Sequence, residues 1–342
     1  MASVVVRGDG VAACCCAHLL RVAGCQVAMQ RVDRPRLPAL LISEAALALI
    51  RDVFGRPELF SGIPRIRRRV VAWTGRQEPV TVDHRAIVIS ERALLEGLEE
   101  GVVLEDQHTD AAADWVIYAA RPLPEATVER RFGSRTASAA RVELIPGEAG
   151  AACWIESLED GWLFLLPGEA ASGWLLRVGA AGGKSLDGML ARSRVIAKQI
   201  AGVGAWTGEF PAYPRIVSPL CGRVSGAGWL ACGTAAMAFD PICGDGVAYA
   251  IREAILAAAI IRAALGGGKT NELLAHYEAR LSAGFRRHLG LCRDFYSTGY
   301  GGNWWDAELK EIERDAAWCS LEEQGPAEFR YRLRGFEVEA RA

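Results

Sequence analysis

Residues 228–259 read GWLACGTAAMAFDPICGDGVAYAIREAILAAA, and the fold turns on how this stretch is parsed. Trp229 to Cys232 is a short apolar run of strand character. Gly233-Thr234-Ala235-Ala236 is a tight turn of small residues, and Asp240-Pro241 is a second turn. Gly244-Asp245-Gly246 then opens a helix rich in Ala and Ile. Small residues let a backbone approach a ligand closely. A helix starting at Gly246 aims unpaired N–H groups and the positive end of its dipole at whatever lies in front of it. An anionic or electron-rich ring system suits that geometry. A small-residue helix packed in an α/β core is the competing reading, and this stretch alone is compatible with both.

The N-terminus supplies a second signal. Ser3 to Val6 is a β-branched strand, Gly8-Asp9-Gly10 a turn, Val11 to Ala23 a helix, and Gly24 to Met29 leads through a second strand. Gly8, Gly10 and Ala13 match G-x-G-x-x-A, in which the glycines let a pyrophosphate sit at the helix N-terminus. The pattern follows a strand and precedes a helix, so a dinucleotide-binding β-α-β unit is expected. An acidic residue normally ends the second strand and accepts hydrogen bonds from the ribose hydroxyls. Arg31 stands there in this alignment, and arginine has no acceptor. Either Asp33 takes the role from two residues further on, or Arg31 faces a phosphate.

Bulk composition narrows the class. The chain has 342 residues, 51% hydrophobic and 23% charged, which describes a globular protein long enough for a sizeable core. A net charge of -2 gives no electrostatic reason to expect nucleic acid or an anionic membrane. Three of the ten cysteines, Cys14, Cys15 and Cys16, are consecutive within an apolar helical pattern, which reads as buried thiols in a reducing cytoplasm. No secretory leader and no uncharged run of membrane-span length is seen, so a cytoplasmic protein without a membrane span is expected. No zinc or P-loop pattern occurs, and no metal site is expected.

Together, the two glycine signatures resemble those of the FAD-dependent flavoprotein hydroxylase superfamily. The nearest likeness is to the branch of flavin-dependent halogenases, geranylgeranyl reductases and maturation monooxygenases that modify tryptophan. The resemblance implies an α/β fold class: a Rossmann-like FAD-binding domain (1–62, 85–125 and 205–270) interleaved with a smaller β-rich substrate domain (63–84 and 126–204), with C-terminal helices in 271–342. It also implies FAD as cofactor. Gly8, Gly10 and Ala13 would admit the pyrophosphate, Arg31 or Asp33 would meet the adenosine side, and Gly233 and Thr234 would approach the ribityl chain. Asp240, Pro241, Gly244, Gly246 and Val247 would border the isoalloxazine. Several positions depart from the pattern. Thr234 replaces the usual ribityl-binding aspartate, Glu91 stands where a helix normally begins with arginine, and Ala120-Arg121 replaces the Asp-Gly linked to direct NADPH use.

Between the signatures, Ser43 reads as the N-cap of a helix over Ala45 to Phe54 closed by Gly55, with Glu44 in its first turn. Arg65 to Arg69 are either a solvated face or a cluster that holds an acidic partner or cofactor phosphates. Trp73, Val80, Val82, Ile87 and Ile89 suggest a β-hairpin that carries His84, which is either structural or near the ring. Short strands follow from Ala140 to Val178. Ser185 to Ala201 reads as helical, and terminal helices are expected over Asn271 to Cys292 and from Phe295 onward, interrupted by a loop at Gly299 to Gly302. Trp162 and Phe164 lie in an element similar to the G-W-x-W-x-x-P of halogenases. With Trp73 and Trp154 they either wall a pocket for a flat aromatic substrate or pack the sheet against its helices.

These readings lead to FAD-dependent monooxygenation or oxidation of an aromatic small molecule or peptide, tryptophan-like groups included, through a flavin hydroperoxide shielded from water. A separate flavin reductase is a candidate partner. Halogenases of the branch depend on an N-terminal lysine, whereas the first lysine here is Lys184, which argues against halogenation. Glu44, His84 and Glu156 are the candidate acid–base residues. Two alternatives stand beside this reading: a non-catalytic binding subunit with a degraded FAD site, and a flavin reductase or dehydrogenase.

Overall fold

The computed structural model describes residues 1–75, 78–99, 113–183, 185–224, 227–321 and 330–341; Lys184 lies outside them. The N-terminal strand Ser3–Arg7 alternates half-buried and buried positions and is the second-last member of a five-stranded sheet. It pairs in parallel with Gln26–Gln30 on one side and Trp115–Tyr118 on the other. Beyond the latter lie Ala227–Ala231, again parallel, and an antiparallel edge strand, Cys221–Val224. Parallel neighbours require crossovers, and the helix Val11–Val22 supplies the first of them. The second glycine-rich stretch therefore enters the N-terminal sheet through Ala227–Ala231, although more than 100 residues separate it from Trp115–Tyr118.

The helix Gly246–Leu265 that follows is buried along most of its length and packs on Val11–Val22. Small residues make the contact close. A Cβ on Gly233 would come within 2.8 Å of Ala12 Cβ. The Cys16 thiol lies against the Ala254 carbonyl at 3.7 Å. Two Rossmann-type helix N-termini, at Gly10 and Gly246, thus belong to one layer over one sheet.

A nine-stranded, largely antiparallel sheet forms the second layer among the described residues. Its main path runs 200–206, 136–144, 172–179, 161–167, 152–158, 65–72, 80–89 and 40–43, with Phe210–Pro211 pairing onto 136–144. The expected hairpin of Arg65–Ala72 and Val80–Ile89 is present. Strand 80–89 runs unbroken across the 84/85 junction, and Leu40–Ser43 is the sheet's edge. Ser43 caps the helix Glu44–Phe54, its hydroxyl accepting from Ala46 N at 3.3 Å, and Gly55 closes that helix in the left-handed conformation.

Two segments differ from the sequence reading. Residues 185–201 form only a short helix, Leu186–Leu190, and a 3-10 turn, Ala197–Gln199, before entering strand Ile200–Trp206. The buried Glu156 carboxylate gathers the backbone N–H groups of Arg194, Val195 and Ile196, so the backbone is held in a turn around it. The C-terminal helices, Thr270–Ser297 and Asn303–Leu321, break at the expected glycines, but a hairpin of Tyr331–Arg334 and Glu337–Ala340 follows them. Its turn has Gly335 at positive φ, and Phe336 and Val338 rest on the Rossmann core. No helix among the described residues is long and apolar enough to cross a membrane.

Candidate functional site

At the first helix N-terminus, Gly8 has φ +126°, and a Cβ there would lie 3.0 Å from the backbone of Ala119 and Ala120. Only glycine fits both the conformation and the space. Gly10 is the N-cap and has no side chain to bond the helix's free N–H groups, while Ala13 is fully buried against the layer below. The nearest neighbour of a Cβ on Gly10 would be the Arg34 guanidinium, at 3.4 Å. Arg34 pairs through both terminal nitrogens with Glu91, and Arg36 likewise with Asp9. The Glu91 and Asp9 side chains are 7% and 5% exposed and the arginines 35% and 31%, so the cationic heads remain within reach of the helix end.

Arg31 and Asp33 stand apart from this cluster. The second strand ends at Gln30, whose carbonyl accepts Gly8 N–H at 2.8 Å. Arg31 is one residue beyond and pairs with Glu99 at 2.9 Å; Asp33 is exposed. The register thus puts Gln30, which has an acceptor, at the strand end where the sequence alignment had put Arg31. Arg34 and Arg36 were missed because an arginine-rich loop after a strand carries no periodic signal, and Asp9 because only the glycines beside it match the dinucleotide pattern.

At the second helix, Gly244 is left-handed at φ +65° and Asp245 is the N-cap without a side-chain hydrogen bond. No neighbouring heavy atom lies within 4 Å of a Cβ built on Gly246, so this helix end opens on free space, with Val247 buried behind it. Gly233 donates its N–H to Glu253 at 2.8 Å, and Thr234 is exposed between the two helix ends. Asp240 is differently employed. Its carboxylate accepts from Arg135 Nε at 2.6 Å, Tyr296 Oη at 3.1 Å and Ile242 N at 2.9 Å. Arg135 also binds Glu308 at 2.7 Å. Asp240 is therefore the anchor of the Pro241 turn, with neither oxygen facing a ligand.

The sheet face above this opening is set by alternation and by one bulge. Strand 65–72 shifts register between Ile66 and Arg68. There one residue of strand 65–72 faces two of strand 80–89, and Arg69, Val71 and Trp73 come to lie on the same side as Ile66. From the neighbouring strand His84 joins them, with Arg69 Nη2 3.2 Å from its Nε2. A Cβ on Gly244 would lie 3.3 Å from Arg69 Nη2, so the pair stands at the second helix end. Arg69 Nε is buried with no hydrogen-bond partner. Burial and then the Arg69 charge hold His84 below its ordinary range, against a smaller opposing pull from Asp245, leaving a neutral imidazole at neutral pH.

Trp162 and Phe164, two residues apart on one strand, point to this face and share a core with Trp73, Tyr296, Trp304 and Trp305. Trp162 Nε1 donates to Tyr296 Oη at 3.3 Å, and Trp73 meets Trp305 edge-on at 5.4 Å. Trp154 and Glu156 do not join them. On strand 152–158, Cys153 and Ile155 take the site face, so even-numbered neighbours point away. Trp154 packs with Leu163 and Leu165 in the outer core. Glu156 accepts from Ser193 Oγ as well as from the three backbone N–H groups, which removes it as an acid–base candidate. Glu44 is half-buried and paired with Arg65 at 2.8 Å.

These groups fit a dinucleotide. The arginines at Gly10 suit a diphosphate, and the open helix end at Gly246 with the orphaned Arg69 Nε suits a polar ring. No protein-family model and no curated sequence matches the chain. Solved structures match it in fold. A peptidyl tryptophan dihydroxylase, QhpG, essential for tryptophylquinone cofactor biogenesis, is 20% identical over 99% of this chain and 86% of its own, with a TM-score of 0.72. The flavin-dependent halogenase CmlS is 14% identical over 92% of this chain and 70% of its own, at 0.77. Klebsiella pneumoniae HpxO complexed with FAD and uric acid is 16% identical over 95% and 97%, at 0.64. At such identities the likeness establishes the fold, that of FAD-dependent hydroxylases and halogenases.

Proposed function

We propose that the chain is an FAD-dependent monooxygenase that oxidises an aromatic group, and that its substrate is a tryptophan-like ring in a peptide or small molecule. The observation carrying this reading is the shared face of Arg69, His84, Trp73, Trp162 and Phe164, set opposite the open end of helix Gly246–Leu265. Gly8, Gly10 and Ala13 with Arg34 and Arg36 would hold the diphosphate, Thr234 the ribityl chain, and Gly244 to Val247 with Arg69 the ring. Bound there, FAD supplies oxygen activation and electron transfer.

The chain's own side chains do the rest. Trp162 and Phe164 are almost completely withdrawn from solvent, so the face excludes water, which favours oxygen transfer over its hydrolytic loss. Half-buried Trp73 is the aromatic face that a flat ring could stack on, with Trp162 and Phe164 packed behind it. His84, neutral and backed by Arg69, can accept a proton from the hydroxyl or ring nitrogen of a substrate at its exposed edge. A separate flavin reductase would supply reducing equivalents, in keeping with Ala120-Arg121 where direct NADPH users carry Asp-Gly, and the free buried thiols accord with a cytoplasmic setting.

One observation favours a second reading. Asp9 and Glu91 place two carboxylates beside the diphosphate position, as a non-catalytic family-like binding subunit could tolerate. Titration with FAD separates them. The monooxygenase acquires a visible flavin band and consumes oxygen when reduced in the presence of its aromatic substrate; a chain that binds no FAD at high concentration is not this enzyme.

A further inference from the structure

His288 is fully buried and has a sulfur on each side. Cys243 Sγ lies 3.8 Å from its Nδ1, and Cys292 Sγ lies 3.3 Å from its Nε2. The two cysteines come from different elements: Cys243 ends the 3-10 turn Pro241–Cys243, and Cys292 is on helix Thr270–Ser297. The same Nε2 accepts the N–H of Asp240 at 2.8 Å. That bond makes Nε2 an acceptor and places the ring proton on Nδ1, facing Cys243. Phe239 and Tyr249 wall the imidazole at 4.8 and 6.0 Å between ring centroids.

The thiols themselves are unequal. Cys243 is half-buried and reachable, whereas Cys292 is completely covered. Hydrogen bonding from Cys292, aided by His288, holds the Cys243 thiol down at about 6 in spite of burial. Cys14 and Cys221, which have no such partners, are pushed up to about 12, chiefly by burial. An accessible thiolate hydrogen-bonded by a covered thiol, with one imidazole against both sulfurs, is the arrangement of an attacking and a resolving cysteine.

We propose that Cys243 and Cys292 form a redox pair that a hydroperoxide converts to a disulfide, with the His288 Nδ1–H facing the attacking sulfur. Cys243 sulfur attacks the peroxide, so that an S–O bond forms and the O–O bond breaks. The proton that Cys243 gave to solvent on ionising returns from solvent to the leaving oxygen, which departs as water or an alcohol, while His288 Nδ1–H faces the attacking sulfur. Cys292 sulfur then displaces the hydroxyl from the Cys243 sulfenic acid, its own proton leaving with that hydroxyl as water. Two thiols and one hydroperoxide give one disulfide and two hydroxylic products, and the sulfurs lose two electrons to the O–O bond. Cys243 directly precedes Gly244 at the opening described above, so peroxide escaping from an oxygen-activating centre would meet it first. That source rests on the proposed function; the chemistry of the pair does not.

The test uses the purified full chain without added FAD, reduced, desalted, exposed to hydrogen peroxide at neutral pH, alkylated and mapped by mass spectrometry. A reducible cross-link between the Cys243 and Cys292 peptides is expected, forming at least about tenfold faster than any other cysteine is oxidised. In Cys292→Ser, Cys243 should be trapped by dimedone as the sulfenic acid, with no cross-link. Retention of both thiols while the partly exposed Cys25 oxidises, or pairing of Cys243 with another cysteine, overturns the proposal. The wild-type map decides the matter even where the variant does not fold. Because FAD is omitted, failure of the flavin assignment cannot be mistaken for failure of the pair.

Discussion

Glu253 is a carboxyl enclosed by the two packed Rossmann helices, and burial raises it to about 8, only partly countered by the hydrogen bond from Gly233 N. Its other oxygen has no partner. A carboxyl raised on folding binds its proton more tightly in the folded state, so its contribution to stability is fullest below its ordinary value near 4.5 and falls as pH rises toward 8. The loss across that window is on the order of a few kcal/mol. Glu253→Gln keeps an acceptor for Gly233 and removes the titration. Its melting temperature should exceed the wild type's at pH 8 by several degrees, with the advantage shrinking or reversing at pH 5; an equal offset at both pH values would contradict this. Residues of this kind were invisible in the sequence, because a lone Glu in an Ala-rich helix reads as surface. Gly8 and Gly244 were legible, since their positive φ and, at Gly8, the close approach of Ala119 and Ala120 are demands that glycine meets.

At the scale of elements, alternation decided which aromatic and acidic residues share a site. Strand existence was readable from apolar runs, but the face that each residue takes depends on register, and register was broken by the bulge after Ile66. Trp73, Trp162 and Phe164 therefore meet, while Trp154 and Glu156, equally conspicuous in sequence, turn to the outer core. The helical expectation for 185–201 failed for a related reason. A carboxylate nearly 40 residues away satisfies the N–H groups of Arg194 to Ile196 that a helix would have used. Glu156→Ala leaves those donors unpaired, at about 1–3 kcal/mol for buried Ile196 N and less for the part-buried N–H groups of Arg194 and Val195. A drop in melting temperature of ten degrees or more is expected, with flavin affinity at the permissive temperature unchanged within about twofold. Loss of flavin binding from a folded Glu156→Ala protein would return Glu156 to the site.

Over the whole molecule, charge sits at the seams between layers. Buried Arg135 joins the large sheet to the Asp240 turn and to Glu308 of the last long helix, and Glu91 joins helix Glu91–Glu99 to the arginine loop that covers the first helix N-terminus. The second seam lies where the proposed site would hold the FAD diphosphate. An incoming dianion finds Arg34 and Arg36 already neutralised by Glu91 and Asp9, so binding has to share each arginine between a carboxylate and a phosphate. Removing one of those negative charges should therefore tighten binding. Glu91→Gln retains an acceptor for Leu37 N, which it now serves at 2.8 Å, and frees Arg34 for the phosphate. A gain of about 1.4 kcal/mol, or tenfold in Kd for FAD, is expected by fluorescence titration at low salt, shrinking as salt rises. Arg34→Gln should weaken binding by a similar factor. Unchanged affinity in both variants would place the diphosphate away from Gly10 and remove the phosphate half of the proposed site, while the fold, which rests on strand pairing and the two packed helices, would stand.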